Sequence, residues 1–221
     1  MANTPPRPCA QAAADPWALL LWVGINSSSL FLSAARWNLW PGAPRPVEST
    51  AAYQLLVIDA IAAALMCPLF LTGGRRAALI ALASAPFVEI AGFFGGASTP
   101  HLAAAYLMLT VWLATLLVWQ MAFPSRRGRM IVVAAASGWT IGLATIAYLN
   151  YEFVQSGIAE PGGRSIVQWT PLSMITLPLD GQYPNVIAVT ILGCFLAAGA
   201  AVARVRCRRR AYREQGRQNR V

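Results

Sequence analysis

Apolar residues run along this chain in long blocks parted by short polar, proline-bearing or arginine-bearing turns. A helix needs about 20 such residues to cross a bilayer core of roughly 30 Å. Six stretches reach that length: Trp17 to Arg36, Ala51 to Leu71, Ala77 to Gly96, Leu102 to Phe123, Met130 to Asn150 and Val186 to Val205. They predict an all-α fold, a polytopic six-transmembrane-helix bundle that makes residues 1–221 one transmembrane domain. A seventh apolar stretch, Ser165 to Leu179, is too short to span and is broken by Pro171 and Pro178. The connection that holds it, 151–182, is expected to be an outer lid, a re-entrant loop or an interfacial anchor.

Composition agrees with lipid as the solvent. Only 11% of the residues are charged and 57% are hydrophobic, whereas a soluble surface needs about twice that charged share. A cytosolic enzyme, a DNA-binding module and a disordered regulator are therefore excluded. The net charge of +9 comes from 17 basic residues, all arginine, eight of them in the last 18 positions. Arginines near span ends stay in the cytoplasm. Arg75 with Arg76, the cluster Arg126, Arg127 and Arg129, and the tail 206–221 then share one face, leaving Arg36, Arg45 and Arg164 outside. An N-in, C-in topology follows. The expected partners of the tail are anionic lipids rather than nucleic acid.

Ser33, Ala34 and Ala35 are small enough for a signal-peptidase site, but Arg7 and Asp15 cancel ahead of the first block, so a retained helix is expected. Cys9, Cys67, Cys194 and Cys207 form no CxxC pair and suggest no disulfide framework. No phosphate loop, nucleophile elbow or dinucleotide fingerprint occurs. With His101 as the single histidine, neither a metal site nor a cofactor is expected.

Two acids fall deep within the spans, Asp59 in the second and Glu89 in the third. An intramembrane carboxyl costs several kcal/mol unless it is protonated, paired or wetted, so it carries a functional presumption. Each lies eight residues or so from the outer end of its span, roughly 12 Å deep at 1.5 Å per residue. The pair is expected to face one another across adjoining helices, one of them keeping its proton because two such carboxyls cannot both ionise cheaply. Pro86 and the glycines 92, 95 and 96 bracket Glu89; they suit either a bent, open site or a small-residue packing seam.

Asn26, Ser29, Ser33 and Arg36 recur at spacings that give one helical face, pointing inward or toward a partner. Tyr53, Phe93, Tyr106 and Tyr148 map to the outer half, Trp169 near the outer boundary, and Trp112 and Trp139 close to the midplane. Aromatic faces stabilise cations by about one or two kcal/mol each where water is excluded. Glu152 beside Tyr148 is a reserve polar contact, and His101 reads as a wetted interfacial histidine.

A protonated acid beside a dry aromatic pocket can protonate an apolar chain that partitions into the bilayer. With Asp59 and Glu89 on a small, aromatic-rich bundle lacking cofactor motifs, the chain resembles the integral membrane terpene cyclases of meroterpenoid and indole-terpenoid biosynthesis, whose bacterial members are of this size. The resemblance implies metal-free protonation of an alkene or epoxide in a prenylated small molecule, then cation-driven ring closure. It assigns Asp59 and Glu89 as the acids, and it implies a multi-pass protein of the bacterial cytoplasmic (inner) membrane. The Trp-Glu pair common in fungal members is Val88-Glu89 here.

Two other classes fit the same residues. The chain also looks like the substrate-capturing subunits of vitamin transporters, or a proton-coupled transporter, with Asp59, Glu89, Asn26 and Arg36 binding a polar solute or a proton. A structural subunit whose acids pair with a neighbouring chain is the third. Oligomeric state is not encoded in any feature of the sequence.

Overall fold

A computed structural model describes residues 16–39, 50–70, 82–94, 97–143, 145 and 169–218, which contain helices and no strand. In chain order these are α1 (Pro16–Leu39), α2 (Thr50–Phe70), α3 (Ala85–Phe94), α4 (Thr99–Ala122), α5 (Arg126–Ser137), α6 (Pro171–Thr176) and α7 (Val186–Gln218). Helix α5 continues through a π-helical turn at Gly138–Gly142, and α6 through a 3-10 turn at Leu177–Asp180.

Helix α2 is the hub, with α1, α3, α4, α5 and α6 all packed on it. Its sequence explains this position. Ala51, Ala52, Ala60, Ala62, Ala63 and Ala64 are buried with Leu55 and Leu56, and small side chains let neighbouring backbones come close. Helix α7 lies on the far side of α4 and runs in the same direction, since Trp119 meets Phe195 while the later Ala122 meets Arg206. At Gly199 an added Cβ would stand 2.9 Å from Cγ1 of Val118, so this crossing needs the hydrogen. Gly92 plays the same part between α3 and Leu102 of α4, which agrees with the packing-seam reading of that glycine.

Local signals set the helix starts. Ser125 caps α5 by accepting from the Gly128 amide at 3.1 Å, and Thr170 caps α6 by accepting from the Ser173 amide at 3.1 Å, with Pro171 in the first turn.

Two helices, Thr99–Ala122 and Val186–Arg209, are long and apolar enough to cross a membrane; Leu19–Phe31 and Ala51–Met66 are shorter apolar runs. Leu20, Phe31, Leu107, Ile131 and Ile187 stand exposed on the helix surfaces. Helix α7 departs from expectation in length: it does not stop near Val205 but carries the arginine-rich segment onward to Gln218. The apolar stretch before α7 departs in placement. Its described part is tucked inside, with Ser173, Met174, Ile175 and Leu179 buried against α2 and α4. The remainder of that connection, with Glu152 and Gln168, lies outside the described residues, as do Tyr148, Arg75, Arg76, Gly95, Gly96 and the side chain of Arg36.

Candidate functional site

The polar features cluster between α1 and α2. Asp59 is fully buried at the middle of α2. Asn26, one turn after Trp22 on α1, uses its amide nitrogen twice, donating to Asp59 Oδ1 and to the Trp22 carbonyl, each at 3.0 Å. Ser29 follows one turn later and is also buried. The inward-facing stripe read from α1 thus has a definite target, the Asp59 carboxyl. Three buried atoms around it have no hydrogen-bond partner: Asp59 Oδ2, Asn26 Oδ1 and Trp22 Nε1.

Glu89 corrects the expectation of a carboxyl pair. It lies on the exposed side of α3, whereas Asp59 is sealed inside and takes its one side-chain hydrogen bond from Asn26. The helix period decides this: on α3 Val88 and Ala91 are the buried positions, and Glu89 falls on the open side with Ile90 and Phe93. The phenol of Tyr106 is the common neighbour. It is half-buried, donates to the Leu82 carbonyl at 3.3 Å, is hydrogen-bonded to Ser84, and stands within electrostatic reach of both carboxyls.

A separate apolar chamber of about 730 Å³ lies between α4, α5, α6 and α7. Its volume is within the usual range for a small-molecule site, roughly 300–1,000 Å³. Rings form a continuous ladder along it. Trp112 meets Trp139 edge to face, with centroids 5.6 Å apart and planes at 88°. Trp139 reaches Phe195 at 5.6 Å, Phe195 reaches Trp119 at 6.2 Å, and Trp119 stacks on Phe123 at 5.8 Å and 11°. The guanidinium of Arg206 closes the series 4.6 Å above the Phe123 ring, also donating to the Ala122 carbonyl.

Backbone irregularity aims these rings. In the π-helical turn the amide of Leu143 bonds back to the Gly138 carbonyl, so one residue is inserted and Trp139 is turned toward the chamber. Its indole nitrogen donates to the Trp169 carbonyl at 2.9 Å, fixing the segment ahead of α6 against α5. Trp169 is thereby tied to Trp139 and lines the chamber with it. On α4, Trp112 donates to the Ala60 carbonyl at 3.3 Å. That contact puts the deep end of the chamber one residue along α2 from Asp59.

The chamber opens sideways. Helices α5 and α7 each pack on α4 but scarcely touch one another, and the lining residues Ile131, Ala135 and Phe195 beside that gap are exposed.

The structure therefore divides the expected site. Asn26 and Asp59 come together, with Ser29 buried one turn further along α1; Trp112, Trp139 and Trp169 line one chamber; and Tyr106 is within electrostatic reach of both Asp59 and Glu89. Tyr53 and Phe93 are exposed and line neither place, because each falls on the outward side of its helix. Sequence reasoning passed over Trp22, Trp119, Phe123 and Phe195, and read Met174 as part of an outer lid, whereas it lines the chamber. The spacing Trp112, Trp119, Phe123 marks one face of α4 and was the available signal. Among the described residues no group of three or more His, Cys, Asp or Glu could hold a metal ion. Comparison of the chain with family models, curated proteins and solved structures finds no match in any of the three.

Proposed function

We propose that this is a six-span, N-in and C-in protein of the bacterial cytoplasmic membrane that cyclises a prenyl chain held in the aromatic chamber. The observation that carries the reading is the unbroken ring ladder from Trp112 to Phe123 around an apolar space of about 730 Å³. Such walls favour an unsaturated hydrocarbon and stabilise positive charge as it moves along one.

In this reaction Asp59 is the proton donor. Its proton adds to the less substituted carbon of a terminal alkene, the more substituted carbon becomes cationic, and the next double bond closes a ring onto it. The Asp59 carboxylate takes a proton back from a carbon next to the final cation, whose C–H pair becomes the new double bond, so the product is an isomer and the acid is restored. Asn26 holds the conjugate base through its amide hydrogen bond. Asp59 does not line the chamber, and Trp112 is bonded to the adjacent Ala60 carbonyl, so proton delivery in this reading requires the Trp112 indole to move. Glu89, exposed on α3, has no part in the step.

The separation of Asp59 from the chamber wall supports a second reading, a carrier of apolar molecules in which protonation of Asp59 drives movement of α1 against α2.

One experiment separates the two. Membranes containing the protein are incubated with farnesylated and geranylated acceptors, and products are resolved by chromatography and mass. A new isomer that disappears in Asp59→Asn, with chamber binding retained, is the expected result. Binding without any isomer, in every acceptor tried, overturns the cyclase reading and leaves the carrier.

A further inference from the structure

We infer that the chamber takes its occupant in one orientation, as a single prenyl chain carrying a phosphate-type anionic head, with the head at Arg206 and Arg127 and the chain end at Trp112. This inference rests on the chamber being a prenyl site.

Its two ends differ in chemistry. The deep end is closed by Trp112 and Met174, both fully buried. The other end is marked by Phe123 and Ile131, where the cations begin. Arg206 lies over the Phe123 ring and spends one donor on the Ala122 carbonyl, which leaves its planar fork further donors. Arg127 is exposed and precedes Ile131 by four residues on α5, so the two share a face and Arg127 stands one turn beyond the lining. Among the described residues no acid lines the chamber at either end. Two guanidinium groups at one mouth of an otherwise apolar space select an anion with several acceptor oxygens, for which arginine forks are the preferred donors.

Size and access fit a branched chain. Trp112 and Phe123 are 11 residues apart on α4, about 16 Å along its axis. A volume of about 730 Å³ over that run is wider than a straight acyl chain fills, and a methyl-branched, partly folded chain uses the extra width. The gap between α5 and α7 lets the chain enter sideways from lipid while the charged head stays at the arginine-bearing end.

The orientation has a chemical consequence. It brings the end of the chain remote from the phosphate next to Trp112, and hence nearest to Asp59.

The test is binding to the full-length protein in neutral nanodiscs, read by quenching of tryptophan fluorescence with farnesyl phosphate, farnesol, inorganic phosphate and a single-chain lysophosphatidic acid. Farnesyl phosphate is expected to bind about tenfold or more tighter than farnesol, the scale of one or two charge-assisted hydrogen bonds. The double variant Arg127→Ala/Arg206→Ala should reduce it to the farnesol level. Arg126→Ala, which lies off that face, should leave it unchanged, and Arg206→Lys should retain part of the gain, separating charge from folding.

Equal affinities for farnesol and farnesyl phosphate overturn the head-group assignment while leaving the prenyl chamber standing. Failure of both to bind overturns the chamber reading as well. Tighter binding of the lysophosphatidic acid than of farnesyl phosphate overturns the prenyl assignment.

Discussion

The indole of Trp139 stands edge-on to that of Trp112 at 88°, and its own N–H is given to the Trp169 carbonyl. One residue thus ties three separate parts of the chain: the middle of α4, the π-helical turn after α5, and the segment that leads into α6. Trp139→Phe keeps a ring but removes the donor. It is expected to cost about 1–2 kcal/mol by leaving a carbonyl unpaired, seen as a lower unfolding midpoint in detergent and weaker ligand binding. An unchanged midpoint would show that the Trp169 contact contributes nothing.

The Asp59–Asn26 pair invites a double-substitution test. Asn26→Leu leaves the carboxyl buried without its donor and should destabilise by about 1–3 kcal/mol. Asn26→Leu/Asp59→Leu should recover most of that loss, since replacing both partners by apolar groups is often close to neutral. Cyclisation should be absent from both the double variant and Asp59→Asn. Denaturation in mixed micelles alongside product analysis separates the two effects.

Occupancy of the chamber can be blocked from its open side. Ala135 lines the space and is exposed at the gap between α5 and α7, so Ala135→Trp inserts an indole without displacing the core. Ligand binding should fall by tenfold or more, about 1.4 kcal/mol, with the unfolding midpoint held. Undiminished binding would place the ligand elsewhere.

Helix contact distances give a paired stability prediction. Gly199→Val must push against Val118 and Trp119 and is expected to cost about 1–3 kcal/mol. Gly24, which has nothing within 4 Å of an added Cβ, should accept alanine with no loss and a gain of up to about 1 kcal/mol from helix propensity. The same unfolding assay reads both, and equal effects would contradict the α4–α7 crossing.

How much of this was readable beforehand depends on the range of the cause. Helix positions came from local hydropathy: three of the six expected spans agree with α1, α2 and α4 within a few residues, whereas α3 is only the ten residues Ala85–Phe94, α5 gives way to a π-helical turn at Gly138, and α7 runs on to Gln218. Asn26 and Ser29 were correctly placed on an inward face because helical period is local as well. The Asp59–Glu89 relation failed because equal depth in two helices does not fix the rotation of either, and on α3 the burial of Val88 and Ala91 turns Glu89 outward. The partner of Trp169 was not legible because it is set by a long-range bond to Trp139, thirty residues away in sequence. The aromatic wall was half seen: Trp112 and Trp139 stood out as single residues, whereas Trp119, Phe123 and Phe195 acquire meaning only when α7 is laid beside α4.

Helix α7 has 33 residues without interruption, a rod of about 50 Å at 1.5 Å per residue, against roughly 30 Å of hydrocarbon. Phe195 near one end forms a chamber wall, and the stretch beyond Arg206 projects as a stiff handle. Because no break separates the wall from the arginine-rich segment, the two are parts of one stiff element and cannot reorient independently.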